Sequence, residues 1–142
     1  MADSDFSSSL ATPLGRNTTR RYVVLEHEVG PAEVHYDLCL EEDDVLVTFQ
    51  LDQPPSETSE VRGRRSFDHR PLYLDYEGEL SRGRGSVRAW DRGVAEDLAG
   101  SPRSASYSFR CQGGRLCGAW TLEAEPREEA PLRLAPSPSE RS

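Results

Sequence analysis

Apolar and polar residues alternate with a period of two through the middle of the chain, at 22–27, 34–41, 45–51, 71–78, 86–91, 105–111 and 116–124. This is the spacing of strands with one face buried. Between the runs stand Gly30-Pro31, Asp43-Asp44, Pro54-Pro55, Gly83 to Gly85, Gly100 to Pro102 and Gly113-Gly114, residues that supply positive or fixed φ for turns. Short strands separated by frequent turns predict an all-β fold, a small closed or partly closed antiparallel β-barrel. The best helical candidate is the short stretch Gly93 to Leu98, and there is no internal repeat. The expected domain spans 20–124. The Ser/Thr/Asp-rich segment 1–19 and the Pro/Glu/Ser-rich segment 125–142 have compositions that bury too little apolar surface to offset ordering, and are expected to be disordered tails.

Composition narrows the chemistry. With 142 residues there is room for one catalytic module, and no apolar run is long enough to span a membrane. The N-terminal sequence has no basic stretch followed by an apolar one, so a cytoplasmic location is expected. All 17 basic residues are arginine, which excludes mechanisms built on a lysine amine: lysyl adducts, Schiff bases, Ser-Lys hydrolysis and P-loop phosphate binding. Cys39, Cys111 and Cys117 are odd in number and lack Cys-x-x-Cys spacing, so neither a disulfide framework nor a structural zinc site is indicated. A hairpin turning at Gly113-Gly114 sets Cys111 opposite Leu116. Trp90 and Trp120 lie in predicted strands and read as core residues.

The net charge of −8 is unevenly placed. Residues 26–60 hold eleven acidic residues and no arginine, whereas 61–92 hold eight arginines against five acids. The first segment suits a cation and the second a phosphate, although a segregated solvated surface accounts for the same counts.

The chain has three histidines. Alternation over 34–41 puts His35, Asp37, Cys39 and Glu41 on one face and Val34, Tyr36, Leu38 and Leu40 on the other, apolar face. His27 ends the preceding run, eight residues before His35, so two antiparallel neighbours would carry both imidazoles to one end of a sheet. Two imidazoles and a carboxylate form a three-ligand set with open positions, suited to Mn, Fe or Zn; hydrogen-bonded strand histidines are the plainer reading. Cys39 shares that face, as a further ligand or as a small buried hydrophobe. Alternation also places His69 and Tyr73 on one side, either to hold a phosphate oxygen or with Tyr73 in the core. The arginine and glycine residues 82–85 can approach an anion.

These residues carry a family resemblance. The series Arg21 to His27, then His35-Tyr36-Asp37-Leu38-x-Leu40-Glu41, then Asp68-His69-x-x-Leu72-Tyr73 through Gly78, then Val87-x-x-Trp90-Asp91-x-Gly93, and last Arg115-Leu116-x-Gly118 resembles the 3′-phosphoesterase domain of bacterial DNA ligase D. The resemblance implies a manganese-dependent β-barrel enzyme, Zn²⁺ or another divalent transition metal being the alternative cofactor. Such an enzyme removes a terminal ribonucleoside and then the 3′-phosphate from DNA primer strands in end repair. It implies His27, His35 and Asp37 as metal ligands and as catalytic residues with His69 and Tyr73, the last two contacting phosphate. Nucleic-acid 3′ ends are the implied partner, with a separate ligase or polymerase of end joining and no membrane.

Three departures stand out. The family's arginine two residues after the Asp of the His-Tyr-Asp motif is Cys39 here. This removes donor bonds worth about 1.5–3 kcal/mol each. Arg62, Arg64 and Arg84 are the expected replacements, with Arg65, Arg70 and Arg82 also in range. The spacing from His27 to His35 is longer than the family's but keeps even parity, and the glycine-rich stretch before Val87 is shorter. A catalytically impaired module that binds nucleic-acid ends or a repair protein is the alternative reading; a cupin is disfavoured because its closely spaced His-x-His is absent.

Overall fold

A computed structural model describes residues 18–137. The strands are β1 (Thr19–Gly30), β2 (Glu33–Glu42), β3 (Val45–Leu51), β4 (Val61–Arg65), β5 (Gly78–Glu79), β6 (Ser86–Ala99), β7 (Ser106–Gly113), β8 (Cys117–Ala124) and β9 (Pro131–Pro136). They pair antiparallel in the order β1-β2-β3-β4-β9-β8-β7-β6-β5, and β1 also pairs with β6, so eight strands close into a barrel with β5 outside the ring. The all-β closed barrel is therefore as expected, and among the described residues no helix is long and apolar enough to cross a membrane.

Alternation sorts each strand into two environments. Tyr22, Val24, Leu38, Leu40, Phe49, Tyr107, Phe109, Trp120, Leu122, Leu132 and Leu134 belong to one buried cluster fed by all eight barrel strands, which is the barrel interior. The intervening Val23, Leu25, Cys39, Leu46 and Val87 form a second cluster with Leu74, on the outside of β1, β2, β3 and β6. Residues 66–85 lie over that outer face. The face expected to be polar is thus buried as well, and this puts Cys39 fully out of solvent.

Four sequence readings need correction. Gly93 to Leu98 is not helical but the second half of β6, because it pairs on one edge with β1 and on the other with β7, and two ladders outweigh local helix preference. Residues 71–78 are not a strand. Pro71 opens a 3₁₀ turn over Pro71–Leu74, which buries Leu74 against the outer cluster, and Gly78–Glu79 alone joins the sheet. The segment 125–142 is not wholly a tail, since Pro131–Pro136 fills the gap between β4 and β8 with Leu132 and Leu134 turned inward. Residues 1–17 and 138–142 lie outside the described residues, while Thr19 already pairs with Glu96. Finally, the β7–β8 turn is longer than a two-residue one: Gly113 N–H bonds Leu116 O at 2.9 Å, and Cys111 faces Gly118 rather than Leu116. All three cysteines carry free thiols.

Two buried charges organise the barrel ends. Asp91 accepts from the Tyr22 hydroxyl (2.8 Å), Arg115 N–H (2.7 Å) and Leu116 N–H (3.1 Å), tying β1 and β6 to the β7–β8 turn. Above it the Arg115 guanidinium lies 4.7 Å from the Trp90 ring centre, and Trp90, only partly buried, packs on Tyr36. At the other end Arg65 donates to the carbonyls of Glu125, Pro102, Ser104 and Ala124 and stacks over Phe49, so its charge is spent inside the fold.

Replacing Asp91 by Ala strands a buried hydroxyl, a buried N–H donor at Leu116 and a partly buried one at Arg115. The expected loss is about 3 kcal/mol of stability, read as a fall in the urea midpoint; an unchanged midpoint would refute the role given to Asp91. Gly63→Ala places a Cβ 2.0 Å from Gln50 O and 2.9 Å from Leu51 Cα, so β3 and β4 must separate. A loss of about 1–3 kcal/mol is expected, and near-neutral urea unfolding would contradict it.

Candidate metal centre and phosphate pocket

The antiparallel pairing of β1 with β2 sets Val23 opposite Cys39, Leu25 opposite Asp37 and His27 opposite His35. All are odd-numbered and so share the outer face. The two imidazoles are therefore a cross-strand pair, and Asp37 follows two residues beyond His35. His27 Nδ1 and His35 Nε2 stand 3.0 Å apart, and the Asp37 carboxylate lies 3.6 Å from the first and 3.5 Å from the second. The rings meet edge to face, with an interplanar angle of 79°.

A carbonyl fixes the tautomer. His27 Nε2 lies 2.8 Å from Arg84 O, and because a carbonyl can only accept, Nε2 carries the proton and Nδ1 is left with its lone pair when the ring is neutral. A backbone carbonyl on the outer nitrogen is the usual support for a metal-binding imidazole. The Asp37 carboxylate close beside it raises the pKa of the His27 ring, whereas burial foremost lowers that of His35. Asp37 is 5% exposed. Two lone pairs at 3.0 Å beside a buried carboxylate repel one another unless a proton or cation lies between them.

The donor set fits a divalent ion. One donor atom from each of His27, His35 and Asp37 lies within 4.8 Å of the others, and bonds of about 2.1 Å hold neighbouring ligands about 3–3.5 Å apart. Two imidazoles and a carboxylate suit manganese or zinc more than calcium.

The three residues sit in a cleft of about 420 Å³ whose lining also includes Gln50, His69, Arg70, Tyr73 and Arg84. His69 and Tyr73 are brought together as the sequence suggests, with ring centres 5.9 Å apart, but by the 3₁₀ turn rather than by strand alternation. His69 is clamped to β3 by backbone bonds with Leu46 of 2.8 Å each way. Its Nδ1 donates to Phe67 O at 3.0 Å, leaving Nε2 as the free nitrogen.

The expected arginines divide. Arg84 lines the cleft, its guanidinium held by Ser81 through Nε and Nη2, and Arg70 lines it too. Arg64 is outside the lining and reaches Gln50 Oε1 at 3.5 Å while pairing with Glu129. Arg62 is not a lining residue; it is exposed and paired with Glu60 at 2.5 Å. Arg65 is buried in the barrel end, and Arg82 sits outside the cleft on the turn Ser81–Gly83.

Cys39 does not reach the cleft. It packs among Val23, Leu25, Leu46 and Leu74, Thr48 donates to its sulfur at 3.7 Å, and burial pushes its thiol pKa far up, so it does not act as a fourth ligand. Gln50 escaped the sequence reading. Its signal was in the strand register, since it lies directly across from Asp37 on β3.

Residues 26–124 match the family model described as the DNA ligase D 3′-phosphoesterase domain. No curated protein matches the chain. The matched segment holds the whole His27–His35–Asp37 cluster, the His69–Tyr73 pair, Asp91 and the Arg115–Gly118 turn, and it stops before β9. On that match the chain belongs to the DNA ligase D 3′-phosphoesterase domain family.

Proposed function

We propose that the chain is a metal-dependent 3′-phosphoesterase that acts on the 3′ ends of DNA primer strands in end repair, removing a terminal ribonucleoside and the 3′-phosphate. The carrying observation is the convergence of His27 Nδ1, His35 Nε2 and the buried Asp37 carboxylate, with the outer nitrogen of His27 bonded to Arg84 O. His27, His35 and Asp37 would hold Mn²⁺ or Zn²⁺, and when bound the ion polarises a phosphoryl oxygen and makes a coordinated water more acidic.

The remaining roles belong to the protein's own groups. His69 keeps its Nδ1–H on Phe67 O, and only as the imidazolium, with Nε2 protonated as well, does it donate to the phosphate or give the leaving oxygen a proton. Tyr73 lines the same cleft and brings a hydroxyl that can donate. Arg84 and Arg70 supply the positive charge that position 39 does not, binding phosphoryl oxygens as negative charge grows on them. Gln50 is a neutral donor and acceptor beside Asp37. Arg84 thus serves twice: its carbonyl orients a ligand and its side chain meets the substrate.

Release of inorganic phosphate from a 3′-phosphate primer–template in the presence of Mn²⁺ is the direct test, with a 3′-ribonucleotide primer and with Zn²⁺ and Mg²⁺ as comparisons. His35→Ala is expected to lower that release by more than about 100-fold with unchanged circular dichroism. A wild-type protein that binds the primer without releasing phosphate is instead a binding module. Arg84→Ala separates the two uses of that residue. Phosphate release should fall about 10- to 100-fold in kcat/KM, while Mn²⁺ affinity by calorimetry stays within about threefold because the carbonyl remains. Loss of Mn²⁺ binding in Arg84→Ala would contradict this division.

A further inference from the structure

Phe67 is the most exposed large apolar side chain among the described residues, 60% open to solvent. Burying such a ring inside the fold would be favourable, yet it stands on the surface beside His69. Its ring centre is 4.9 Å from that of His69 at a 41° tilt, and its carbonyl holds His69 Nδ1. The side chain lines the cleft of the His27–His35–Asp37 cluster and also a second cleft of about 250 Å³, where Arg103, Arg127 and Glu128 are among the lining residues. The ring therefore stands on the rim shared by the two depressions. Asp68, its neighbour, is bonded by Arg103 at 2.8 Å, so the carboxylate next to the ring is charge-compensated.

The geometry points to Phe67 as the stacking platform for the nucleobase of the 3′-terminal nucleotide, an inference that rests on the phosphoesterase reading and adds a base subsite to it. A phosphate held at His69 carries its nucleoside next to this ring, and a flat aromatic face receives any of the four bases, because each has a π-face. The subsite is sequence-tolerant, as end repair requires. It makes the enzyme prefer a 3′ end that bears a base over the same end lacking one. His69 and the base then occupy opposite parts of one continuous aromatic surface, so the nucleotide is aligned by its base while its phosphate meets the charged groups.

The test compares kcat/KM for 3′-phosphate primers whose terminal nucleotide is normal or abasic. Wild type is expected to favour the normal end by about 5- to 100-fold; in Phe67→Ala that ratio should fall towards one, through KM, and in Phe67→Trp it should return. A ratio unchanged by Phe67→Ala, or equal losses on both primers, would overturn the inference. Binding is measured in parallel with a primer carrying 2-aminopurine at its 3′ terminus, whose fluorescence is quenched on stacking. Wild-type quenching that disappears in Phe67→Ala and returns in Phe67→Trp supports the platform even if no phosphate is released, in which case the phosphoesterase reading alone fails. No quenching difference between wild type and Phe67→Ala refutes the platform even where phosphate release is normal.

Discussion

Everything at the functional site depends on β1 being paired along both edges. One edge meets β2 in a register that sets His27 against His35, and the other meets β6, closing the barrel. A strand held on both sides cannot slip by one residue without turning Tyr22 and Val24 out of the interior and Val23 and Leu25 into it. The hydrophobic interior of the barrel therefore fixes, indirectly, which way both imidazoles point. The histidines need no special device to meet, because the core has already chosen their face.

That face is crowded, and the crowding shapes the chemistry. The crossover 66–85 buries Cys39 beneath Leu74 and brings His69, Tyr73 and Arg84 over the His27–His35–Asp37 cluster from the far side. A low-dielectric floor of Leu25, Val87 and Leu80 under a cluster of polar groups strengthens every charge interaction made there. Position 39 as folded here faces apolar side chains rather than the cleft, and cationic charge is available from Arg84 and Arg70, which approach from the crossover.

The same economy applies to the other buried charges. Asp91 and Arg65 are each saturated by the fold, the first by a hydroxyl and two backbone donors and the second by four carbonyls. Neither is free for a ligand. The Trp90-Asp91 and Arg115-Leu116 motifs of the family are thus parts of one scaffold joint, in which Asp91 receives the turn and Trp90 carries the arginine. Motifs that look alike in a sequence divide in space between holding the barrel and lining the cleft.

The sequence by itself determined the all-β class, the β1–β2 hairpin and the shared face of His27, His35 and Asp37, because period-two alternation and even spacing survive any packing arrangement that keeps those strands paired. It did not reveal β4, whose run Val61 to Arg65 has a glycine and three arginines in place of an apolar stripe, nor β9, whose leucines at 132 and 134 are set in a Pro-rich stretch. Both become strands because a barrel with an unpaired edge leaves backbone groups unsatisfied, a demand that arises only from closure. Likewise the helix-favouring residues after Gly93 yield to two neighbouring ladders. The choice among the arginines was tertiary too: Arg62, Arg64, Arg65 and Arg84 look equivalent in sequence, but strand pairing turns one to Glu60, one to Glu129 and one into the barrel end, and the crossover delivers the fourth to the cleft.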